Sequence, residues 1–176
     1  EHVATLAGAD MAGYWWYVVR RQHVTDALAP LKGRPDLSYV DLGCGPGGTM
    51  RDVAKVVGAR KVLGLDGTQA AVDVARERGL DVRLTDFRHA FELPFVPDAV
   101  TCLDVMEHLE DPVLALRNLR AASSPDTRLV VTVPAMPSLH GKWDDMCGHF
   151  RRYTRPLLKQ HLQEAGWRPE RVRAFF

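Results

Sequence analysis

The amino-acid sequence predicts an α/β fold in three layers, built around a mostly parallel β-sheet. Short runs rich in β-branched residues alternate with segments of helical periodicity along most of the chain. A glycine-rich stretch directly follows the first of these runs, and an acidic residue closes the second. The 176 residues are enough to bury one hydrophobic core, so we expect a single domain over residues 1–176.

The first predicted element is a helix over residues 14–28, "YWWYVVRRQHVTDAL". Apolar residues recur in it with a period of roughly 3.6 residues and one lapse. This apolar face consists of Trp15, Val18, Val19, Val24 and Leu28. The prolines and the glycine of "APLKGRPD" end the helix. We expect residues 1–30 to form a helical lid at the start of the domain.

The other elements follow in alternation after residue 37. Strands are predicted at 38–43, 60–66, 81–86, 98–104 and 127–134, and helices at 49–57, 68–79, 112–122 and 154–166. Thr49, Thr68 and Thr154 stand where helix N-caps belong. Residues 167–176 have the pattern of a sixth strand that begins here and continues beyond the last residue. Right-handed crossovers then put the ligand crevice at the carboxyl ends of the strands.

Composition excludes several classes of function. A formal net charge of +1 gives no global field that attracts nucleic acid or anionic lipid, so we expect no nucleic-acid partner. Three cysteines, Cys44, Cys102 and Cys147, form no short pairing pattern, which favours a reducing compartment over a disulfide framework. No apolar run approaches the ~18 residues of a membrane span, and no signal-peptide pattern opens the sequence. We therefore expect a cytoplasmic protein.

The stretch "YVDLGCGPGG", residues 39–48, matches G-x-G-x-x-G with Gly43, Gly45 and Gly48. Asp66 ends the next strand, where an acid can bind ribose hydroxyls, so a nicotinamide cofactor of an NAD(P)-dependent oxidoreductase is one candidate ligand. However, Asp41 lies just before the glycines, and its carboxylate repels a pyrophosphate and attracts a cationic amino group. The loop therefore favours a nucleoside joined to a positive group, such as the methionine part of S-adenosylmethionine.

At this point a family resemblance is clear. "VDLGCGPGG" resembles the first motif of class I S-adenosylmethionine-dependent methyltransferases, and Asp66 in "GLDGT" is similar to their ribose-binding acid. "TDF", residues 85–87, resembles their adenine site, and "ELPFVPDAVTCLDVMEHLEDP" resembles the run into and past their fourth strand. The resemblance covers residues 39 to about 135, although "SSPDTR" replaces the family's Lys-Pro-Gly-Gly turn. It implies a Rossmann-like methyltransferase fold whose C-terminal strands are incomplete in this chain.

The resemblance also implies a set of cofactor contacts, with S-adenosylmethionine as cofactor and S-adenosylhomocysteine as product. The loop backbone passes under the methionine end, an acid binds its ammonium, a second acid binds the ribose and a third binds the adenine amino group. The implied loop residues are Gly43, Cys44 and Gly45, and the acid at the ammonium is Asp41. Asp66, with Gly67, is implied at the ribose. Asp86, with the backbone N–H of Phe87, is implied at the adenine. Leu103 or Asp104 lies near the sulfonium.

The acceptor side is predicted in an insertion after the fifth strand, residues 134–155. It ends in "HFRRYT", which resembles a bacterial methyltransferase subgroup with a His-x-Arg-Arg-Tyr-Thr segment, and the N-terminal tryptophan–arginine helix resembles that subgroup too. Arg151 and Arg152 are candidates for clamping a carboxylate or phosphate on a small-molecule acceptor. The alternative is that they pair with Asp144, Asp145 or helix ends. Trp16 and Trp143 are further candidate acceptor contacts, with core packing as the alternative for the first.

The stretch "LDVMEHLED", residues 103–111, follows the fourth strand and carries the candidate chemistry. His108 is the best-placed base, and His149 is a second candidate, with a structural role as the alternative for each. We expect oxygen as the acceptor atom, with nitrogen, carbon and sulfur as alternatives, and no metal. The metal alternative is Asp104, Glu107 and His108, which resemble a run of ubiquinone-type and small-RNA 2′-O-methyltransferases that can hold a divalent ion. A cofactor-binding subunit without catalysis is the non-enzyme alternative.

Overall fold

A computed structural model describes residues 15–175 as an α/β domain with one five-stranded sheet. All neighbouring strands are parallel, in the order β3-β2-β1-β4-β5. The strands are β1 (Ser38–Leu42), β2 (Lys61–Asp66), β3 (Val82–Leu84), β4 (Ala99–Leu103) and β5 (Arg128–Thr132). The prediction of a mostly parallel sheet with these five strands is confirmed.

Six α-helices lie within the described residues: α1 (Trp15–Leu28), α2 (Gly48–Val57), α3 (Gln69–Glu77), α4 (Pro112–Ala121), α5 (Lys142–Cys147) and α6 (Arg155–Glu164). Short 3-10 turns occupy Ala29–Leu31, Met106–His108 and Pro137–Leu139. The expected alternation is therefore observed, except that residues 85–98 join β3 to β4 without a helix. No helix between residues 15 and 175 is long and apolar enough to cross a membrane.

Helices cover both faces of the sheet, which makes the sheet the middle of three layers. One buried cluster includes Val40, Leu116 and Leu162, and a second includes Leu28, Tyr39 and Val53. Each fully buried leucine contributes about 2 kcal/mol through the apolar area removed from water. Every residue of β1 and β4 is buried, so the polar side chains in them, among them Asp41 and Thr101, require internal partners.

The buried face of α1 differs from the one predicted. Trp15 and Val18 are exposed, whereas Arg20 is buried together with Val24 and Leu28. These three residues are spaced by four, which is one helical stripe. The guanidinium of Arg20 can be buried in this stripe because it pairs with the carboxylate of Asp104. Residues 1–14 of the predicted lid lie outside the described residues.

Two local predictions are corrected and one is confirmed. Helix α2 begins at Gly48 with Gly47 as its N-cap, so Thr49 is not the cap. Thr154 caps α6, since its hydroxyl accepts the N–H of Leu157 at 3.3 Å. The sixth strand is absent from residues 167–175, where the indole N–H of Trp167 donates to the Leu116 carbonyl at 3.0 Å instead. That contact packs the start of the segment on α4, and the end of the segment reaches α1, where the Phe175 ring stacks on Trp16.

Candidate functional site

The glycine loop leaves β1 at the carboxyl edge of the sheet and is fixed to the end of β2. The N–H groups of Gly43 and Cys44 both donate to the Leu65 carbonyl, at 2.7 and 3.1 Å. Gly43 has a φ of +74°, and a Cβ there would lie 2.3 Å from Cγ2 of Val105. A side chain at this position is therefore excluded by both the backbone conformation and the neighbouring segment.

Asp41 is the polar group near the end of β1, and it is only 3% exposed. Its carboxylate accepts a hydrogen bond from the Thr101 hydroxyl, which lies 2.6 Å from the hydroxyl of Tyr39. Burial raises the pKa of Asp41 to about 7, against the opposing effects of Thr101 and Arg20. A cationic group arriving here would favour the ionised form.

Asp66 ends β2 and links the loop to the next turn. Its Oδ2 accepts the N–H of Gly45 at 2.7 Å, and its Oδ1 accepts the N–H of Thr68 at 2.9 Å. Each carboxylate oxygen retains a second lone pair that can accept from a ligand hydroxyl. The next residue in the chain, Gly67, is exposed.

Asp86 and Phe87 follow β3 and have contrasting surroundings. Asp86 is exposed, and the Arg88 guanidinium donates to it at 2.9 Å from Nε and 2.7 Å from Nη2. These bonds hold the pKa of Asp86 well below its ordinary value. Phe87 is buried, and its carbonyl accepts from Asn118 at 3.1 Å. An adenine amino group would therefore compete with Arg88 for the Asp86 carboxylate.

Arg20 is a site residue that the sequence analysis missed. Its guanidinium, in a residue 7% exposed, donates to the Asp104 carboxylate and to the Thr49 hydroxyl, the latter at 3.3 Å. Its Nε has no hydrogen-bond partner in the described part of the chain. The spacing of Arg20 from Val24 and Leu28 was the sequence feature that could have revealed it, because an arginine in a buried helical stripe needs a partner.

Asp104 links α1 to the end of β5. Besides Arg20, it accepts from the Thr132 hydroxyl at 2.8 Å, and its φ of +55° is unusual for a residue other than glycine. Its neighbour Leu103 is buried. The Asp104 carboxylate thus faces α1 and β5, and its φ is a strained conformation of the kind found at functional sites.

Glu107, His108 and His149 converge on the acceptor side, and we name them the Glu–His cluster. Each offers a ligand atom within 4.8 Å of the others, so the structure groups His149 rather than Asp104 with Glu107 and His108. The Glu107 residue is 1% exposed, and its Oε2 has no partner among residues 15–175. Burial, with a contribution from Asp104, raises the pKa of Glu107 to about 8. Desolvation, assisted by His149, lowers the pKa of His108.

The four residues predicted to contact the acceptor have different surroundings. Arg151 donates to the carbonyls of Leu109 and Glu110, at 2.6 and 2.9 Å, and Arg152 donates to the carboxylate of Asp144 at 2.8 Å. Both guanidinium groups are thus engaged with protein groups, which is the alternative to an anion clamp. The Trp16 ring stacks on Phe175 with centroids 5.7 Å apart. Trp143 is 63% exposed on α5.

The fold and this edge of the sheet define a class of α/β domain whose glycine loop and flanking acids suit a nucleoside cofactor. Residues 10–172 match the family described as "Methyltransferase domain". The chain therefore belongs to this methyltransferase family, and the methyltransferase class expected from the sequence is confirmed. The family decides against the NAD(P) alternative.

Relatives at low identity support this assignment. An uncharacterised 37.1 kDa protein in transposon TN4556 of Streptomyces fradiae is 34% identical over 77% of this chain and 41% of the relative. The ubiquinone biosynthesis O-methyltransferase of Aliivibrio fischeri (strain ATCC 700601 / ES114) is 32% identical over 66% of this chain and 56% of that enzyme. The chain thus spans about half the length of these curated relatives. The fold resembles a solved S-adenosylmethionine-dependent methyltransferase from Mesorhizobium loti, with a TM-score of 0.67, 23% identity and coverage of 85% of this chain and 83% of that one.

Proposed function

We propose that this chain transfers a methyl group from S-adenosylmethionine to a hydroxyl oxygen of a small molecule. The observation that carries the proposal is the buried carboxylate of Asp41, two residues before Gly43, with Asp66 at the end of the neighbouring strand. A buried anion at the start of the loop favours a cationic amino-acid group over a pyrophosphate. S-adenosylmethionine joins such a group to a nucleoside.

The charges along the loop suggest how the chain holds the cofactor. Asp41 binds the ammonium, and Arg20 binds the carboxylate of the same amino-acid group, because its guanidinium lies between Thr49 on α2 and Asp104. The backbone of Gly43, Cys44 and Gly45 lies along the methionine chain. At the nucleoside end, Asp66 and Gly67 contact the ribose, and Asp86 and Phe87 contact the adenine. Leu103 and Asp104 lie next to the sulfonium.

The residues of the Glu–His cluster serve the acceptor. Bound S-adenosylmethionine supplies an electrophilic methyl group, so the chain must align the acceptor, exclude water and remove the hydroxyl proton. The acceptor oxygen forms a bond to the methyl carbon as the sulfur–carbon bond breaks, and the proton passes to an imidazole. His108 and His149 are both candidates for this base, since their ring centroids are 4.6 Å apart and Glu107 lies beside them.

Oxygen is favoured over other acceptor atoms by two observations. An aliphatic or aromatic hydroxyl needs a base, and two histidines meet on the acceptor side. The relatives of the chain also include ubiquinone biosynthesis O-methyltransferases. The internal contacts of Arg151 and Arg152 give no support to an anionic acceptor. We infer that residues 134–155 cover the acceptor. The "HFRRYT" segment, residues 149–154, holds this cover in place through the hydrogen bonds of Arg151 and Arg152.

Isothermal titration calorimetry with S-adenosylmethionine and S-adenosylhomocysteine tests the cofactor. Both ligands should bind to folded chain, as checked by circular dichroism, and absence of binding to both would overturn the proposal. Transfer of a labelled methyl group to catechol and to matched amine and thiol acceptors tests the reaction. Cofactor binding with no transfer to any acceptor, in the full-length protein, would instead support a non-catalytic cofactor-binding subunit.

A further inference from the structure

We propose that Asp144 is a positioning residue for His149, and that it fixes the imidazole tautomer in which Nε2 is the atom that takes the acceptor proton. This inference rests on the proposed methyl transfer, but its decisive measurement does not require turnover. Asp144 lies in α5, outside the glycine loop and the Glu–His cluster. It lies in the predicted acceptor-side insertion, residues 134–155, where the sequence suggested it as a partner of the arginines and not of a histidine.

Asp144 is an unusually well-satisfied buried acid. The residue is 1% exposed, and its Oδ1 lies 2.8 Å both from Nδ1 of His149 and from Nε of Arg152. Its Oδ2 accepts the backbone N–H of Gly141 at 3.0 Å. The hydrogen bond from Arg152 is the largest cause that holds the pKa of Asp144 well below its ordinary value. The carboxylate is therefore ionised and can only accept hydrogen bonds.

An ionised carboxylate decides which nitrogen of a neutral imidazole carries the proton. Since Asp144 cannot donate, the proton of the His149 ring must reside on Nδ1. The lone pair is then on Nε2. After Nε2 takes the acceptor proton, the ring is cationic, and the charge of Asp144 stabilises it. The proton is later released to water, which restores the neutral ring.

A short stretch of sequence builds this pair. Asp144 is the third residue of α5, and its carboxylate accepts the backbone N–H of the N-cap residue Gly141, which satisfies one of the free N–H groups at the helix start. At the helix end, the N–H of His149 donates to the Asp144 carbonyl at 2.9 Å, just after the C-cap Gly148. Both ends of this one helix thus bring the imidazole to the carboxylate. Arg152 follows three residues after His149 and donates to the same oxygen.

His149 also has the better claim to be the base of the two histidines. Its ring packs edge-to-face on the ring of His108, which contacts the backbone of Cys147 and Gly148. The side chain of His149 is 14% exposed and contacts the ionised Asp144 directly. A carboxylate partner strengthens an imidazole base, because it compensates the charge that develops on the ring.

Nitrogen-15 chemical shifts of the His149 ring, from long-range proton–nitrogen correlation spectra, test the inference directly. His149→Gln identifies the signals by their loss. In the unaltered chain at pH 8 we expect a protonated Nδ1 and an unprotonated Nε2. Asp144→Asn should shift this population toward the other tautomer. The asparagine amide carries an NH2 group, and of the three groups around it, Gly141 N–H, Arg152 Nε–H and His149 Nδ1, only the imidazole nitrogen can become an acceptor. Asp145→Asn, at the exposed neighbouring acid, is the matched control; because Asp145 pairs with His140, it should leave the His149 signals unchanged.

Kinetics then connect the tautomer to the reaction. With catechol as the acceptor, Asp144→Asn should lower kcat by about 10²-fold, in the range of general-base contributions, and leave the Kd of S-adenosylmethionine within about twofold. An Nε2–H tautomer in the unaltered chain would overturn the inference, as would an unchanged tautomer in a folded Asp144→Asn variant. If catechol is not methylated, the proposed function is in question, while the spectra still decide the role of Asp144.

Discussion

Replacing Asp41 by asparagine should stabilise the folded chain at pH 8 while weakening its affinity for S-adenosylmethionine. Burial raises the pKa of Asp41 from an ordinary value of 3.8 to about 7. With a raised folded-state pKa, the carboxyl group stabilises the fold at acidic pH, and that contribution is lost as the pH rises from about 4 through 7. Asparagine has nearly the same shape and stays neutral, so the variant avoids this loss.

The expected size follows from the same pKa. Because one unit of pKa difference corresponds to about 1.4 kcal/mol, keeping Asp41 ionised above pH 7 costs on the order of 4 kcal/mol. The asparagine must still find partners for its amide in a buried position, and an unmet group costs about 1–3 kcal/mol. We therefore expect a net stabilisation of about 1–3 kcal/mol at pH 8, and none at pH 4.5.

Urea denaturation from pH 4.5 to 8 measures this difference. Glu107 also has a raised pKa, but it titrates alike in both proteins and cancels from the comparison. Asp73→Asn is the control, since Asp73 is exposed and pairs with Gln69 on the surface of α3. A difference in unfolding free energy that stays constant across the pH range would refute the reasoning. Calorimetry should show at least a tenfold loss of cofactor affinity in Asp41→Asn, on the order expected for a charge-assisted hydrogen bond.

Three further predictions concern the loop, α1 and the Glu–His cluster. Arg20→Met should weaken S-adenosylmethionine binding about 10- to 100-fold by calorimetry, whereas Arg21→Met, which breaks a more exposed ion pair, should change it little. Gly43→Ala should lower the free energy of unfolding by more than about 2 kcal/mol in urea, and Gly58→Ala, with a similar φ but open space, by about 1 kcal/mol. EDTA should leave methyl transfer unchanged; loss of activity that Mg²⁺ or Zn²⁺ restores would make the cluster a metal site instead of a base.

The geometry of the glycine loop was predictable because its determinants lie in short, regular stretches of sequence. Asp41 and Gly43 are two residues apart, and the strand pattern alone puts Asp66 at the adjacent strand end. Parallel pairing then brings these groups to one edge of the sheet. The backbone conformation of the loop can be predicted from the local sequence alone, because a positive φ such as that of Gly43 favours glycine.

The remainder depends on pairs that are distant in the sequence. Arg20 and Asp104 are 84 positions apart, and no periodicity predicts which acid receives a buried guanidinium. The predicted face of α1 was right at Val24 and Leu28 and wrong at Trp15 and Val18, because the ion pair of Arg20 orients the helix so that Arg20 is buried. Likewise, residues 167–175 have a strand-like pattern, but the indole of Trp167 packs on α4. Tertiary contacts override local propensity in both cases.

The charge balance of the site leads to a final prediction about how it distinguishes cofactor from product. Arg20 is a cation that lowers the pKa of both Asp41 and Glu107, and it also pairs with Asp104, so one guanidinium faces three carboxyl groups. S-adenosylmethionine has one more positive charge than S-adenosylhomocysteine, because methyl transfer neutralises the sulfonium. As the pH rises from 6 to 8, Asp41 and Glu107 ionise, and the added negative charge should favour the cofactor over the product. Calorimetry at both pH values should therefore show a larger affinity ratio of cofactor to product at pH 8, and Glu107→Gln should reduce the increase. A ratio that is the same at pH 6 and 8 would mean that the charges of these carboxyl groups do not act on the sulfonium.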